Sequence, residues 1–127
     1  MTPSEQNGLD RLLDDLTGRL PCVRYAVILS ADGLPRSRST DMTFEDAEHF
    51  CALAAVLHNV AGSAGIHFRV GNARQSVIEL DRGYLVVAAA GAHTCLAVLT
   101  VEAAAMGKVT YEVNRAVQRL AWALPPG

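Results

Sequence analysis

Between Phe50 and Ile66 the chain contains no Asp, Glu, Lys or Arg. A helix on an ordinary globular surface shows water a charged face, so a helix over this stretch is expected to bury two sides. Lysine is nearly missing as well: Lys108 is the sole lysine among 11 basic residues, and the formal net charge is −2. With no basic stripe and few aromatics, the composition makes no case for a nucleic acid partner. There is no Gly-x-x-x-x-Gly-Lys-Ser/Thr loop and no glycine-rich turn in a parallel unit, so the chain is expected to bind no nucleotide by itself. The opening residues, Met-Thr-Pro-Ser-Glu-Gln-Asn-Gly, have neither a basic nor an apolar region, and no secretory signal is expected. Neither end carries a lipidation motif. The apolar stretch is short and rich in Ala, Gly, His and Asn, which argues against membrane insertion.

Cysteine is sparse. Cys22, Cys51 and Cys95 are widely spaced in apolar surroundings, a pattern that predicts reduced thiols in a cytoplasm and small hydrophobes in a core. Zinc needs Cys, His and carboxylates at close spacing, and His49, His58, His67 and His93 do not supply it. No metal, cofactor or catalytic residue is expected. Arg69 and Arg74 flank a loop and read as ordinary surface charge or as contacts to a partner.

The 127 residues fit one domain with a single core. Residues 1–8 read as a loose, flexible tail, 9–124 as the domain and 125–127 as a short C-terminal tail. From Leu9, apolar residues recur at Leu12, Leu13, Leu16 and Leu20, opposite Asp10, Arg11, Asp14 and Asp15, as on an amphipathic helix; Pro21 ends it. The stretch Val23–Ser30 is rich in β-branched and aromatic residues, and Asp32-Gly33 marks a hairpin. The returning strand, Leu34 to Ser39, contains Pro35, Arg36 and Arg38, as a sheet edge does. Thr43 then offers an N-cap, with Glu45 and Asp46 in the first turn. A helix follows from Phe44 to Ala64, stopping near Gly65. Its expected core stripe is Phe50, Leu53, Ala54, Leu57, Val60, Ala61 and Ala64. Ala52, Ala55, Val56 and Gly62 widen that stripe with small residues. Three strands follow, Arg74–Leu80, Tyr84–Ala90 and Thr94–Thr100, joined by tight turns that require antiparallel neighbours. A last helix spans Val101–Leu124. The fold class is α+β: a five-stranded antiparallel sheet with helices on both faces, in the order αββαβββα.

This organisation speaks of association. One side of the central helix can cover its own sheet, and the other is offered to another protein. The strand beginning at Arg74 is expected at a sheet edge, where Arg74, Gln75, Val77 and Glu79 would meet a second copy. Ala55 and Val56 are expected on the outer side of the helix. Glu48, His49, His58 and Asn59 are the polar residues best placed to touch a partner. The rival reading is a small-ligand sensor with a pocket between sheet and helix, against which stands the lack of a convergent polar cluster.

Several segments together resemble a known family: Leu9-Asp10-Arg11-Leu12-Leu13-Asp14-Asp15-Leu16, Ala26 through Leu34, Asp46-Ala47-Glu48-His49, Arg74 through Leu80, and Cys95-Leu96-Ala97-Val98-Leu99. In order and spacing the chain is similar to bacterial roadblock-type domains, of the roadblock dynein light chain family, especially the short actinobacterial members found beside a sensor kinase and a small GTPase. The resemblance implies a roadblock/profilin-like fold with the central helix on one face of the sheet and the terminal helices on the other. It implies a homodimer in which the central helix and third strand meet their copies. It implies a scaffold or regulator of a small Ras-like GTPase, cytoplasmic and peripheral to a membrane-bound signalling complex, with no active site of its own.

Overall fold

Thr2 caps the first helix: its hydroxyl accepts from the Glu5 amide at 3.2 Å. Pro3 follows at the first helical position, where its missing N–H costs nothing. The computed structural model describes residues 2–91, 93–101 and 105–123. The first helix, α1, runs Pro3–Arg19. The loose tail expected over residues 1–8 is therefore corrected, because residues 3–8 are the opening turns of α1 and polar anchors hold them. The Gln6 side-chain amide donates to Asp10 at 2.9 Å and to the Arg36 carbonyl at 2.8 Å. Ser37 donates to the same Asp10 oxygen at 2.6 Å.

Strands β1 (Val23–Ser30) and β2 (Pro35–Arg38) form the expected hairpin. Gly33 turns it at φ 88°, a conformation L side chains rarely adopt. Helix α2 (Phe44–His67) begins where expected, with the Thr43 hydroxyl accepting from the Asp46 amide at 3.1 Å. It runs past the expected stop, and the Gly65 carbonyl is what turns the chain back, accepting from the Val70 amide at 2.8 Å. Strands β3 (Gln75–Leu80), β4 (Gly83–Ala89) and β5 (Thr94–Thr100) complete the sheet, and α3 (Met106–Ala123) closes the fold. The last helix was expected from Val101. That residue instead prolongs the sheet, its amide donating to the Cys22 carbonyl at 2.9 Å. The tail expected over residues 125–127 lies outside the described residues.

The strand order is β2-β1-β5-β4-β3, and every pairing is antiparallel. The expected edges are thus β2 and β3. Alternation along the strands divides the interior into two cores. Ala26, Ile28, Val86, Ala88, Leu96 and Val98 face α1 and α3, where Leu13, Leu16, Val113 and Leu120 meet them. Val27, Leu29, Val87, Cys95 and Ala97 face α2. Each fully buried Leu or Ile contributes about 1.5–3 kcal/mol by leaving water. The α1/α3 layer is built of such large residues and the α2 layer is not.

Candidate protein-interaction face

Small residues bring α2 onto the sheet. Its buried positions are Ala47, Phe50, Cys51, Ala54, Ala55 and Gly65. A side chain on Gly65 would collide with the carbonyl of Gly71, so only glycine lets the connecting loop fold back so tightly. The expected core stripe is thereby corrected: the helix is rotated, Phe50 and Ala54 face inward, and Leu53, Val60 and Ala64 face water. The cause is packing density. Ala and Cys let the helix backbone approach the strands, and larger side chains turned inward would hold it away.

The rotation leaves Leu53, Val56 and Val60 exposed by 48, 59 and 64 %. Glu48, His49, Ala52 and Asn59 are exposed as well. Two residues expected to face outward do not. Ala55 is buried, its side chain close under Gly33 of the hairpin. His58 is half-buried, at helical spacing from Ala47, Cys51, Ala54 and Gly65, and so on the sheet-facing side. Gly62 is half-buried. Ile66 in the last turn of α2 and Phe68 and Val70 just beyond it are all strongly exposed. The sequence reading missed these three; a large apolar residue at every second position around the helix end, between polar neighbours, was the available signal. Length and composition alone would let α2 cross a membrane, yet it packs against strands β1 to β4 of the sheet.

The edge strand continues this surface. Ser76 and Ile78 pair with Val87 and Leu85, which belong to the core beneath α2. By alternation Leu80 lies on that face too and is half exposed. Gln75, Val77 and Glu79 point to the opposite face, with Val77 and Glu79 exposed, Gln75 half-buried, and Arg74 exposed just before the strand. Apart from the inward-turned Ala55 and His58, the residues expected to meet a partner therefore fall into two groups, one on α2 and one along β3.

Nothing in this surface resembles a reaction centre. Burial pushes the Cys51 thiol up to about 12 and the Cys95 thiol up to about 11, away from reactive thiolate. Among the described residues no three His, Cys, Asp or Glu side chains come together as metal ligands do. A cleft of about 910 Å³ lies elsewhere, between the start of α1, the β1–β2 turn, His93 and Ala123. There the Ser30 hydroxyl donates to Asp32 and holds its carboxyl below the usual range. On the α1/α3 side, Arg19 at 3.0 Å and Arg119 at 2.6 Å share the Asp15 carboxylate and lower its pKa in the same way.

This arrangement, one helix on one face of a five-stranded antiparallel sheet and two on the other, defines a roadblock/profilin-like fold. The family model of the Roadblock/LC7 domain matches residues 9–100, and the chain belongs to that family. A Roadblock/LC7 domain from Streptomyces avermitilis is 41 % identical, with 87 % of this chain and 92 % of that one covered and a TM-score of 0.82. The gliding protein MglB from Thermus thermophilus is similar in fold at 19 % identity, covering 97 % of this chain and 93 % of that one with a TM-score of 0.86. Profilin IB from Acanthamoeba castellanii covers 90 % of this chain and 97 % of its own, at 16 % identity and a TM-score of 0.67. No curated protein matches.

Proposed function

We propose that the protein is a non-enzymatic, homodimeric scaffold or regulator of a small Ras-like GTPase in a bacterial signalling complex. The observation that carries this reading is the outward side of α2, where Leu53, Val56 and Val60 stand in water with no charge between Phe50 and Ile66. A surface with apolar anchors among small and lightly polar residues suits a reversible protein interface. Membership of the roadblock family and the fold shared with MglB support the GTPase as partner. The dimer forms through α2 and the open edge β3, and it works in the cytoplasm, docked on a complex that includes a sensor kinase. It acts by ordering the switch segments of the GTPase, which differ between the nucleotide states.

Light scattering at micromolar concentration is expected to give twice the chain mass. Val56→Glu is expected to yield folded monomer, because a carboxylate at an interface core is costly to desolvate. Titration of candidate GTPases from the host, loaded with GDP or a GTP analogue, is expected to show state-dependent binding that Asn59→Asp weakens. No binding to any small GTPase would favour a small-ligand sensor instead, with the 910 Å³ cleft beside Asp32 and His93 as its pocket.

A further inference from the structure

Three of the four most exposed large apolar side chains among the described residues stand at alternate positions around the end of α2: Ile66, Phe68 and Val70, at 70, 72 and 82 %. They sit on a hook with a defined backbone. The Val70 amide donates to the Gly65 carbonyl at 2.8 Å and the Arg69 amide to the Ile66 carbonyl at 3.2 Å. These are the paired bonds of a helix end that turns through a left-handed residue. That residue is Arg69, at φ 60°, where such ends ordinarily place glycine. The apolar residue after such a turn commonly packs back onto the last turn of the helix. Here the position it would cover is Gly65, which has no side chain, and Val70 stays in water. The His67 ring stands edge-on to Phe68, with centroids 4.7 Å apart.

The charge on this hook is of one sign. Residues 49–78 contain no Asp or Glu, and their formal charges are those of Arg69 and Arg74. Arg69 lies between Phe68 and Val70, and Arg74 is exposed where the chain enters β3. Strand β3 is a sheet edge, so the hook stands at a corner of the fold. A protein partner would need a pocket shaped for three protruding side chains and acids to match the arginines. An anionic bilayer needs no such pocket. Its acyl boundary takes apolar side chains, and the phosphates just above it take guanidinium groups. Apolar and cationic residues at successive positions fit that layering.

We propose that residues 66–70 dock the protein on an anionic lipid surface, with Ile66, Phe68 and Val70 entering the acyl boundary and Arg69 and Arg74 meeting the headgroup phosphates. Helix α2 stays on its sheet, and no segment spans the bilayer. The proposal does not depend on the GTPase reading, and it gives the protein its own hold on a membrane. Because the bonds of the helix end already fix the backbone, docking orders little more than side chains. Binding by one such hook is reversible and salt-dependent, since three side chains and two arginines fall far short of a lipid anchor.

Flotation of the purified protein with vesicles tests this, one set made of phosphatidylcholine and the other of phosphatidylcholine with an equal part of phosphatidylglycerol. Wild type is expected to float with the phosphatidylglycerol vesicles at low salt, to be released at high salt, and to leave the phosphatidylcholine vesicles nearly bare. Phe68→Ser with Val70→Ser is expected to weaken binding about tenfold. Arg69→Gly with Arg74→Gln is expected to weaken it about tenfold as well. Glycine suits a φ of 60°, so this variant removes charge without straining the turn. In a Trp122→Phe background, Phe68→Trp is expected to shift its fluorescence to the blue when the phosphatidylglycerol vesicles are added. Circular dichroism and light scattering are expected to show every variant folded and of wild-type mass. A lower mass for the Phe68, Val70 variant would assign the hook to an interface between copies and overturn the proposal. A wild type that ignores both vesicle types, or variants that float as well as wild type, would overturn it too. Equal binding to both vesicle types would overturn the anionic class of lipid.

Discussion

Cys51 and Cys95 line the core beneath α2, and burial holds their thiols protonated, at about 12 and about 11. Unfolding returns each to an ordinary value near 9.0. A folded pKa raised in this way contributes stability in full below the unfolded value. Above it the unfolded chain loses protons that the folded chain keeps, and stability falls until pH passes the folded values. Urea denaturation is expected to show constant stability from about pH 7 to 8.5. Above pH 9 it should decline by up to about 1.4 kcal/mol per pH unit for each thiol. The Cys51→Ala, Cys95→Ala double variant is expected to be less stable at neutral pH through the cavities it leaves, but to lose much of that alkaline decline. Reading these residues as small hydrophobes needed only their apolar neighbours. The inward position of Ala55 was not legible, because its neighbour is Gly33, which is distant in sequence and arrives through the hairpin turn.

Among the elements, α1 shows what periodicity misses. The leucine stripe gives the helix from Leu9, but its first turns are held by polar atoms that no hydrophobic pattern reveals. The sequence did carry one signal, Thr2-Pro3-Ser4-Glu5, which has the form of a capping box with Pro in the first turn. Asp10 accepts from both Gln6 and the buried Ser37 hydroxyl. Asp10→Ala is expected to cost about 1–3 kcal/mol, the penalty for leaving a buried donor without its partner. Hydrogen exchange should show the α1 start and β2 loosening together. Helix α2 was harder for the opposite reason. Its start was legible from Thr43, while its end runs past the stop that Gly65 suggested, and around its circumference nearly every residue is apolar or small. No polar stripe marked the outward side, and packing density alone chose the rotation. Both edges were legible from Pro35 and from the place of β3, but the strand order was not, because the β1–β5 pairing joins segments far apart in sequence and no turn announces it.

Across the whole molecule the two sheet edges are built differently. The β2 edge has Pro35, which lacks an N–H, and an Arg36 carbonyl already engaged by Gln6 of α1. The β3 edge has neither proline nor a covering side-chain bond among the described residues. Added strands are therefore resisted on one side and admitted on the other. A molecule with two open edges adds copies without end and makes filaments. A molecule with one blunt edge and one open edge joins its partner back to back and stops. Replacing Pro35 by Val, Gln6 by Ala and Arg36 and Arg38 by Thr is expected to convert a discrete species into ribbons that grow with concentration. Size-exclusion chromatography would detect them as material in the void volume. In the dimer proposed above, the proline and arginines of this four-residue strand would act as a chain terminator, setting the number of subunits from the side of the molecule that the interface never touches.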